Sequence, residues 1–418
     1  MTALDPNNQP VVNYPLMLTT LTPVCVKSHD EPLSPLADYV QDGDRIHYID
    51  QKKFLHLLTE PKLADAFTNM VANVSIQQEG KHDEFKQFLD ANDIPVSDIS
   101  SVCRPYSIQG NLTQVSRHIH SSGRVYIPGS TLKGAITTAL FFDWLKSNKK
   151  IWESQIKDIL DKYWRQKEIL NNGGKQKDGK DSRDLNQLKR DTKKQLSKKY
   201  AFFFDRYLNR RKSDNAHNFA SFYGFTDTNF TDDVNIEISD FFRYNINPKN
   251  ILSPQLFEVI KEDVRLDAML SVQISQLFKD FNGTGKEYKE FELAFFKNKD
   301  LTPFFKKIND FSLCFLNSQI EFVSSIKSTN QKVFSDQYLV HLNELKKKAT
   351  ETSGQSAVIA LGFGKSFLQS TMALLLDDEM KKRLLSLNRN ASDKKNAPTT
   401  FYMNEEGIPL SWCKIELK

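Results

Sequence analysis

Cysteine is scarce: Cys25, Cys103, Cys314 and Cys413 are the four in 418 residues, they lie far apart, and none forms a C-x-x-C pair. That excludes a disulfide framework and a cysteine-rich zinc site, and with no signal peptide to read it points to a reduced, cytoplasmic compartment. Long apolar runs are missing too. No stretch approaches the roughly 20 residues needed to span a bilayer, so a soluble protein without membrane contact is expected. Excess charge is also small: 57 Lys and Arg against 52 Asp and Glu leave a net +5. Charged residues still make up 26% of the chain, so their local distribution matters more than their sum. The 39% hydrophobic content is enough for a sizeable core in two ordinary domains or one heavily elaborated one.

The most informative stretch is Val125 to Leu140, V-Y-I-P-G-S-T-L-K-G-A-I-T-T-A-L. Tyr126-Ile127 reads as a strand end, Pro128-Gly129 as a turn and Ser130 as a helix N-cap. Leu132, Ala135, Ile136, Ala139, Leu140 and Trp144 then form an apolar stripe at helical spacing. Two residues run against local preference. Lys133 occupies the position where a capping box would put Glu or Gln, adding its charge to the positive end of the helix dipole, and Gly134 costs about 1 kcal/mol relative to Ala. Both fit an anion bound at this helix end by free amides and Lys133, with Gly134 allowing close approach. A surface lysine beside a packing glycine fits equally well.

Along the chain, Tyr14 to Val26 reads as a first strand, Ser28 to Gly43 with Pro32 and Pro35 as a loop, and Ile46 to Ile49 as a short strand. A helix capped by Asp50 and carrying Phe54, Leu55, Leu57 and Leu58 follows. Val115 to Ile127 fits a hairpin around Ser121-Ser122-Gly123. From Asn171 a polar, lysine-rich stretch reads as an insertion over about 165–215, a solvated helical hairpin or a direct nucleic-acid contact. Val234 to Asp240 alternates cleanly as a strand, and Val264 to Leu277 is strand-like at its centre with helix as the alternative. Helices are expected at Glu287 to Phe296, Phe311 to Ile326 and Val333 to Lys348, with loops at Asn282 to Gly285 and Thr352 to Gly354. Ala357 to Leu361 is an apolar strand that meets a Gly362-Phe363-Gly364 turn and a helix from about Ser366, with Lys365 at its mouth; Leu410 to Leu417 closes the chain as a strand. Strands separated by helices with long insertions give an α+β class of ferredoxin-like type, in one such unit or two.

Ile127 to Leu140, I-P-G-S-T-L-K-G-A-I-T-T-A-L, resembles the I-P-G-S-S-L-K-G signature of RAMP proteins, the RNA-binding ferredoxin-fold subunits of CRISPR systems. L-T-P-V at Leu21 to Val24, P-L-A-D-Y-V at Pro35 to Val40, I-S-D at Ile238 to Asp240 and L-G-F-G-K-S-F at Leu361 to Phe367 are similar to further segments of the family. The likeness is greatest to the terminal RAMP subunit of type III-A (Csm) effector complexes. The resemblance implies an α+β, ferredoxin-like (RRM-like) fold in two units, an N-terminal one over 1–255 carrying the lysine-rich insertion and a C-terminal one over 256–418 with its glycine-rich loop at 362–366. It implies a non-catalytic subunit that binds the 3′ part of the CRISPR RNA, caps the filament there and is needed for maturation of that end. Its partners would be the backbone RAMP subunit and the small subunit, with target RNA touched indirectly and no cofactor or metal. Carried over by motif, the RNA-binding residues are Arg124, Gly129, Ser130, Thr131 and Lys133 at the first site and Gly362, Phe363, Gly364, Lys365 and Ser366 at the second. Backbone amides, small residues and cations suit a ribose-phosphate chain, and Phe363 is either a base stacker or a core plug.

Other chemistries meet specific obstacles. Gly364-Lys365-Ser366 could end a Walker A loop, but the glycine required five residues earlier is Ile359. Ser130-x-x-Lys133 with Ser213-Asp214-Asn215 matches an acyl-serine pattern but lacks its K-[ST]-G partner. The alternative of a metal-independent RAMP endoribonuclease cutting CRISPR repeat RNA would use His118 and His120, two apart in R-H-I-H beside Arg117, as acid and base. Asp30, Glu31 and Asp38 supply acids after the first strand without the pattern expected of target cutting.

Overall fold

The computed structural model of the protein describes residues 11–35, 37–76, 84–106, 114–172, 180–208, 220, 223–245, 255–273, 300–325, 332–352, 354–364, 371–387 and 400–418. The loop expected at Asn282 to Gly285, the helix at Glu287 to Phe296, Ser213 to Asn215, Lys365 and Ser366 lie outside the described residues.

The first strand, β1 (Val12–Thr20), buries Leu16 and Leu18 on alternate positions. The expected loop contains a strand, β2 (Tyr39–Asp42), paired with β3 (Arg45–Ile49). The preceding prolines and acids obscured it, but Tyr39 and Val40 are both buried. Asp50 caps α1 (Gln51–Leu57) as its spacing requires, accepting from the amides of Lys52 and Lys53. Helices α2 (Pro61–Ile76), α3 (Glu84–Ala91) and α4 (Val96–Ile99) then lead into β4 (Ser100–Pro105) beside β3. Phe54, Phe67, Phe85 and Phe88 hold this part together through edge-on and stacked ring pairs.

A short strand β5 (Val115–Ser116) precedes the expected hairpin, β6 (His120–Ser121) with β7 (Arg124–Val125). Its turn residues Ser122 and Gly123 have φ of 49° and 78°, the left-handed pair that a tight two-residue hairpin needs. Helix α5 (Gly129–Ser147) follows, then α6 (Lys149–Asn172) and α7 (Lys180–Leu208). Beyond them come β8 (Tyr223–Phe225), β9 (Ile236–Asn245), β10 (Gln255–Ile260) and β11 (Arg265–Val272), which settles the 264–277 ambiguity as strand over its described part. The C-terminal part is α8 (Thr302–Ser324), α9 (Lys332–Thr350), β12 (Ser356–Ala360), α10 (Thr371–Leu375), α11 (Asp378–Ser386), β13 (Thr400–Met403) and β14 (Trp412–Leu417).

One sheet has the order β12-β14-β1-β11-β8, another β13-β9-β10-β5, and a third β2-β3-β4. In the first, β1, α5, β8, β11, α8 and β14 follow the strand-helix-strand-strand-helix-strand sequence of a ferredoxin-like unit, with β1 central and antiparallel to both β11 and β14. Strands from both sides of residue 255 enter each of the two larger sheets.

Helix α5 sits at the centre of the main core. Its expected single stripe is buried, and so are Phe141, Phe142 and Leu145: the insertion closes over Phe141, while the Phe142 ring meets Phe311 of α8 at 5.1 Å. Tyr200, Phe204 and Tyr207 of α7 meet the Phe141 ring at 5.0–5.7 Å between centroids. The inner face of the insertion is thus part of the fold.

Candidate nucleic-acid interface

The N-terminus of α5 is built by a second segment that lies far away in sequence. The Thr226–Thr231 run lies alongside Val125–Gly129: the Ile127 amide donates to the Thr228 hydroxyl at 2.9 Å, and the amides of Thr228 and Thr231 donate to the carbonyls of Ile127 and Val125. The chain therefore stays extended through Pro128, which, with φ −62° and ψ 138°, is the N-cap. Ser130 is not the cap. Helix begins one residue before it, the Pro128 carbonyl accepts from the amides of Thr131 and Leu132, and Ser130 stands exposed in the first turn. The Gly129 amide donates 2.8 Å to the Asp227 carboxylate, so an internal anion satisfies the first of the helix's orphan donors.

The two glycines of this helix do different things. A Cβ on Gly129 would lie 2.1 Å from the Phe225 carbonyl oxygen, so its missing side chain serves a main-chain crossing inside the protein. A Cβ on Gly134 would meet nothing within 4 Å, and this exposed face is open to a ligand. Beside it, the Lys133 ammonium sits 5.6 Å from the centroid of the Tyr223 ring, whose hydroxyl pairs with Thr137 at 2.6 Å. Partial burial strips water from the ammonium and lowers its pKa below the ordinary lysine value. Lys133 is a half-buried cation steered by an aromatic face.

Arg124 is exposed, and its guanidinium carbon lies 4.4 Å over the Phe230 ring, which Tyr126 meets edge-on at 5.8 Å. This cation and aromatic pair was not legible as a unit. The available signal was the alternation of Arg124 and Tyr126 with buried Val125 and Ile127, which puts the first two on one outward face.

The second site is more enclosed. Gly362 has φ +64°, and a Cβ there would come within 2.3 Å of the Cys25 carbonyl oxygen; Gly364, with φ +96°, abuts Leu410. The Phe363 amide donates to that same Cys25 carbonyl, and its ring packs on Phe257 and Tyr402 at 5.0 and 5.1 Å. Phe363 is a half-buried plug beside the Cys25, Phe241, Phe257, Val259 and Leu410 cluster. Lys365 and Ser366 lie outside the described residues.

His118 is fully buried, its backbone amide donates to Glu258, and burial pulls its pKa down to about 4. His120 is half-buried, with its ring 3.2 Å from the His118 carbonyl. The two histidines do not form an open acid and base pair. Glu258 also takes a buried ion pair at 3.0 Å from Arg104, which reaches on to Asp233 at 2.7 Å and joins the three-stranded sheet to the four-stranded one. Asp30 is exposed and bonded to Ser28, and Asp38 accepts from the Ser34 amide. Among the described residues, no cluster of three or more His, Cys, Asp and Glu could hold a metal, and no helix is long and apolar enough to cross a membrane.

Comparison with known proteins places this geometry in a family. The Csm5 protein of a CRISPR system from Streptococcus thermophilus is 26% identical over 138 residues, 30% of this chain and only 37% of that relative's length. A chain in the cryo-EM structure of a Csm–crRNA–target RNA ternary complex of a type III-A CRISPR-Cas system shares the fold at TM-score 0.63 and 18% identity, covering 97% of this chain and 100% of that one. Csm5 from T. onnurineus does so at TM-score 0.58 and 17% identity, over 95% of this chain and 99% of that one. The RAMP superfamily model matches residues 17–367, and the chain belongs to the RAMP superfamily.

Proposed function

We propose that this RAMP protein is a non-catalytic CRISPR RNA-binding subunit of a type III-A (Csm) effector complex, capping the filament at the 3′ end of the guide and supporting maturation of that end in antiviral defence. The observation that carries the reading is the open end of α5, where half-buried Lys133, exposed Ser130 and the unobstructed side of Gly134 lie together. Phosphate oxygens need donors and cations with room to approach, and this end supplies all three. In this reading Arg124, Gly129, Ser130, Thr131 and Lys133 form the guide-backbone site, with Gly129 shaping it from inside. Gly362, Phe363 and Gly364, together with Lys365 and Ser366, are assigned to a second guide contact. The two RAMP units proposed are those over 1–255 and 256–418, which share strands in both of the larger sheets. Partners are the 3′ part of the CRISPR RNA, the backbone RAMP subunit and the small subunit, in the cytoplasm, with target RNA touched through the assembly. Repeat cutting by a histidine pair is disfavoured by the complete burial of His118.

Titrating single-stranded RNA at several salt concentrations tests the site. Lys133→Ala is expected to weaken binding about equally for all sequences and to flatten log K against log salt by about 0.7, the value for one phosphate on a single strand. Unchanged affinity and slope would make Lys133 an ordinary surface lysine. The terminal position is tested by native mass spectrometry of the assembled complex, where one copy is expected and several would refute it.

A further inference from the structure

The α6–α7 hairpin holds the protein's positive charge. Residues Lys149 to Leu208 contain 17 Lys and Arg against 9 Asp and Glu, a surplus of +8 in a chain whose total is +5, so the rest of the molecule is net negative. Helix α7 has two faces. Thr192, Phe203 and Tyr207 are buried, and Phe203 and Tyr207 belong to the main core. On the opposite side Arg190, Lys194 and Lys198 follow one another at four-residue spacing, one helical turn apart, and all three are exposed. Among the described residues none of the three has an ion-pair or hydrogen-bond partner. The nearby acids are accounted for in part: Asp191 accepts from Gln187, while Asp205 lies further along the helix.

The next member of that four-residue series is Phe202, a large aromatic that keeps 51% of its surface exposed. Its neighbours Phe203 and Phe204 pack inward, with the Phe203 ring 5.4 Å from that of Phe202, and the Lys199 ammonium lies 5.4 Å from the Phe202 centroid, which adds a further cation beside the exposed ring. Apolar packing does not require a phenylalanine there, and a solvated helix face would be better served by a polar residue.

We infer that this face of α7 is a further RNA-binding surface, distinct from the α5 end and the 362–366 loop, on which Arg190, Lys194 and Lys198 track the phosphates of a single strand and Phe202 stacks a base. The pairing of a cation row with an exposed ring is what sequence-tolerant single-strand binding uses: cations follow the backbone, and any base offers a π face. An acidic protein partner would need a row of carboxylates at the same spacing and an apolar pocket for Phe202 beside it, whereas a single strand supplies regularly spaced phosphates and a base face on every nucleotide. The inference rests on the RNA-binding reading above and extends it to a surface away from the α5 end.

The test uses the 418-residue chain and a fluorescent oligouridylate, with anisotropy read across a series of NaCl concentrations. Arg190→Ala/Lys194→Ala/Lys198→Ala is expected to weaken binding and flatten the slope of log K against log salt by up to about 2, from about 0.7 per phosphate. Phe202→Leu is expected to lose roughly 5- to 150-fold in affinity with the slope unchanged, because stacking releases no counterions. Both variants alter exposed positions and should melt with the parent; alanine also favours helix. A triple variant with the parent's slope, alongside a Lys133→Ala variant that still flattens it, would overturn the α7 surface and leave the α5 site standing. A triple variant that binds RNA normally but fails to enter a reconstituted complex would overturn it in favour of an acidic protein partner. A parent chain that does not bind the oligonucleotide would overturn both readings.

Discussion

The Gly129 amide donates to the Asp227 carboxylate across 98 residues of sequence, so the first free donor of this helix end is met by an anion from within the chain. Asp227 thereby does the work of an N-cap side chain that Pro128 lacks. Removing it leaves a donor to water and Lys133 alone at the positive end of the dipole. Asp227→Ala should cost about 1 kcal/mol in urea unfolding, and Asp227→Asn less, since the amide oxygen still accepts and only the charge–dipole part is lost. A parent-like midpoint for Asp227→Ala would mean that water caps the helix equally well.

Gly129 and Gly134, five residues apart on α5, should respond to alanine with opposite signs. At Gly129 the new methyl would lie 2.1 Å from main-chain oxygen, which no rotamer relieves, and a loss of several kcal/mol is expected. At Gly134 the space is open, so Gly134→Ala should raise stability by about 0.5–1 kcal/mol through helix propensity. If that face admits an RNA strand, the same variant binds RNA more weakly although its melt is higher. Thermal unfolding and RNA titration of the two variants check both halves.

These relationships mark what the sequence could and could not reveal. Strands β1, β9 and β12 were legible because each shows alternating or continuous apolar residues over its own length, whereas the β11 stretch fitted strand and helix alike. The α5 cap was not, because Asp227 reaches Gly129 only once β8 has been placed beside β11. The same holds for the pairing of β1, whose partners β11 and β14 come from the middle and the end of the chain. Local pattern also could not choose between stacker and plug for Phe363, since Phe257 and Tyr402 come from other strands. At the α5 end the motif was readable, but the Arg124, Tyr126 and Phe230 arrangement needed the 226–231 segment to fold back.

Arg104 and Glu258 form the buried pair that joins two sheets, with side chains only 2% and 1% exposed. Arg104→Met should destabilise by about 3–5 kcal/mol, because it strands a buried carboxylate. Arg104→Met/Glu258→Leu should recover much of that loss, since neither charge then needs a partner. Denaturant unfolding of the single and double variants gives the coupling. A double variant no more stable than Arg104→Met would show that the Asp233 bond or the His118 amide contact, rather than charge pairing, carries this junction.

His118 and Asp240 should oppose each other as pH falls. Burial lowers the His118 pKa from 6.5 to about 4; its bond to the Ile119 carbonyl and the Glu258 charge push the other way, and His120 adds to the lowering. Burial raises the Asp240 pKa from 3.8 to about 6, helped by the Glu405 charge and resisted by the Tyr106 hydroxyl. Between about pH 6.5 and 4 the unfolded chain takes up a proton at His118 that the folded chain refuses, so stability falls with falling pH. Over about pH 6 to 4 the folded chain takes up a proton at Asp240 that the unfolded chain does not, so stability rises with falling pH. Each effect is worth roughly 3 kcal/mol over its window, and in the parent they largely cancel. His118→Asn should therefore gain stability relative to the parent as pH drops from 6.5 to 4. Asp240→Asn should start ahead of the parent at pH 7, where it has no buried charge, and lose that advantage by pH 4. Urea unfolding at half-unit pH intervals reads both curves as differences from the parent, which removes the titration of all other groups. Two difference curves that slope the same way would sink the compensation, because only opposite proton uptake at the two sites gives opposite signs.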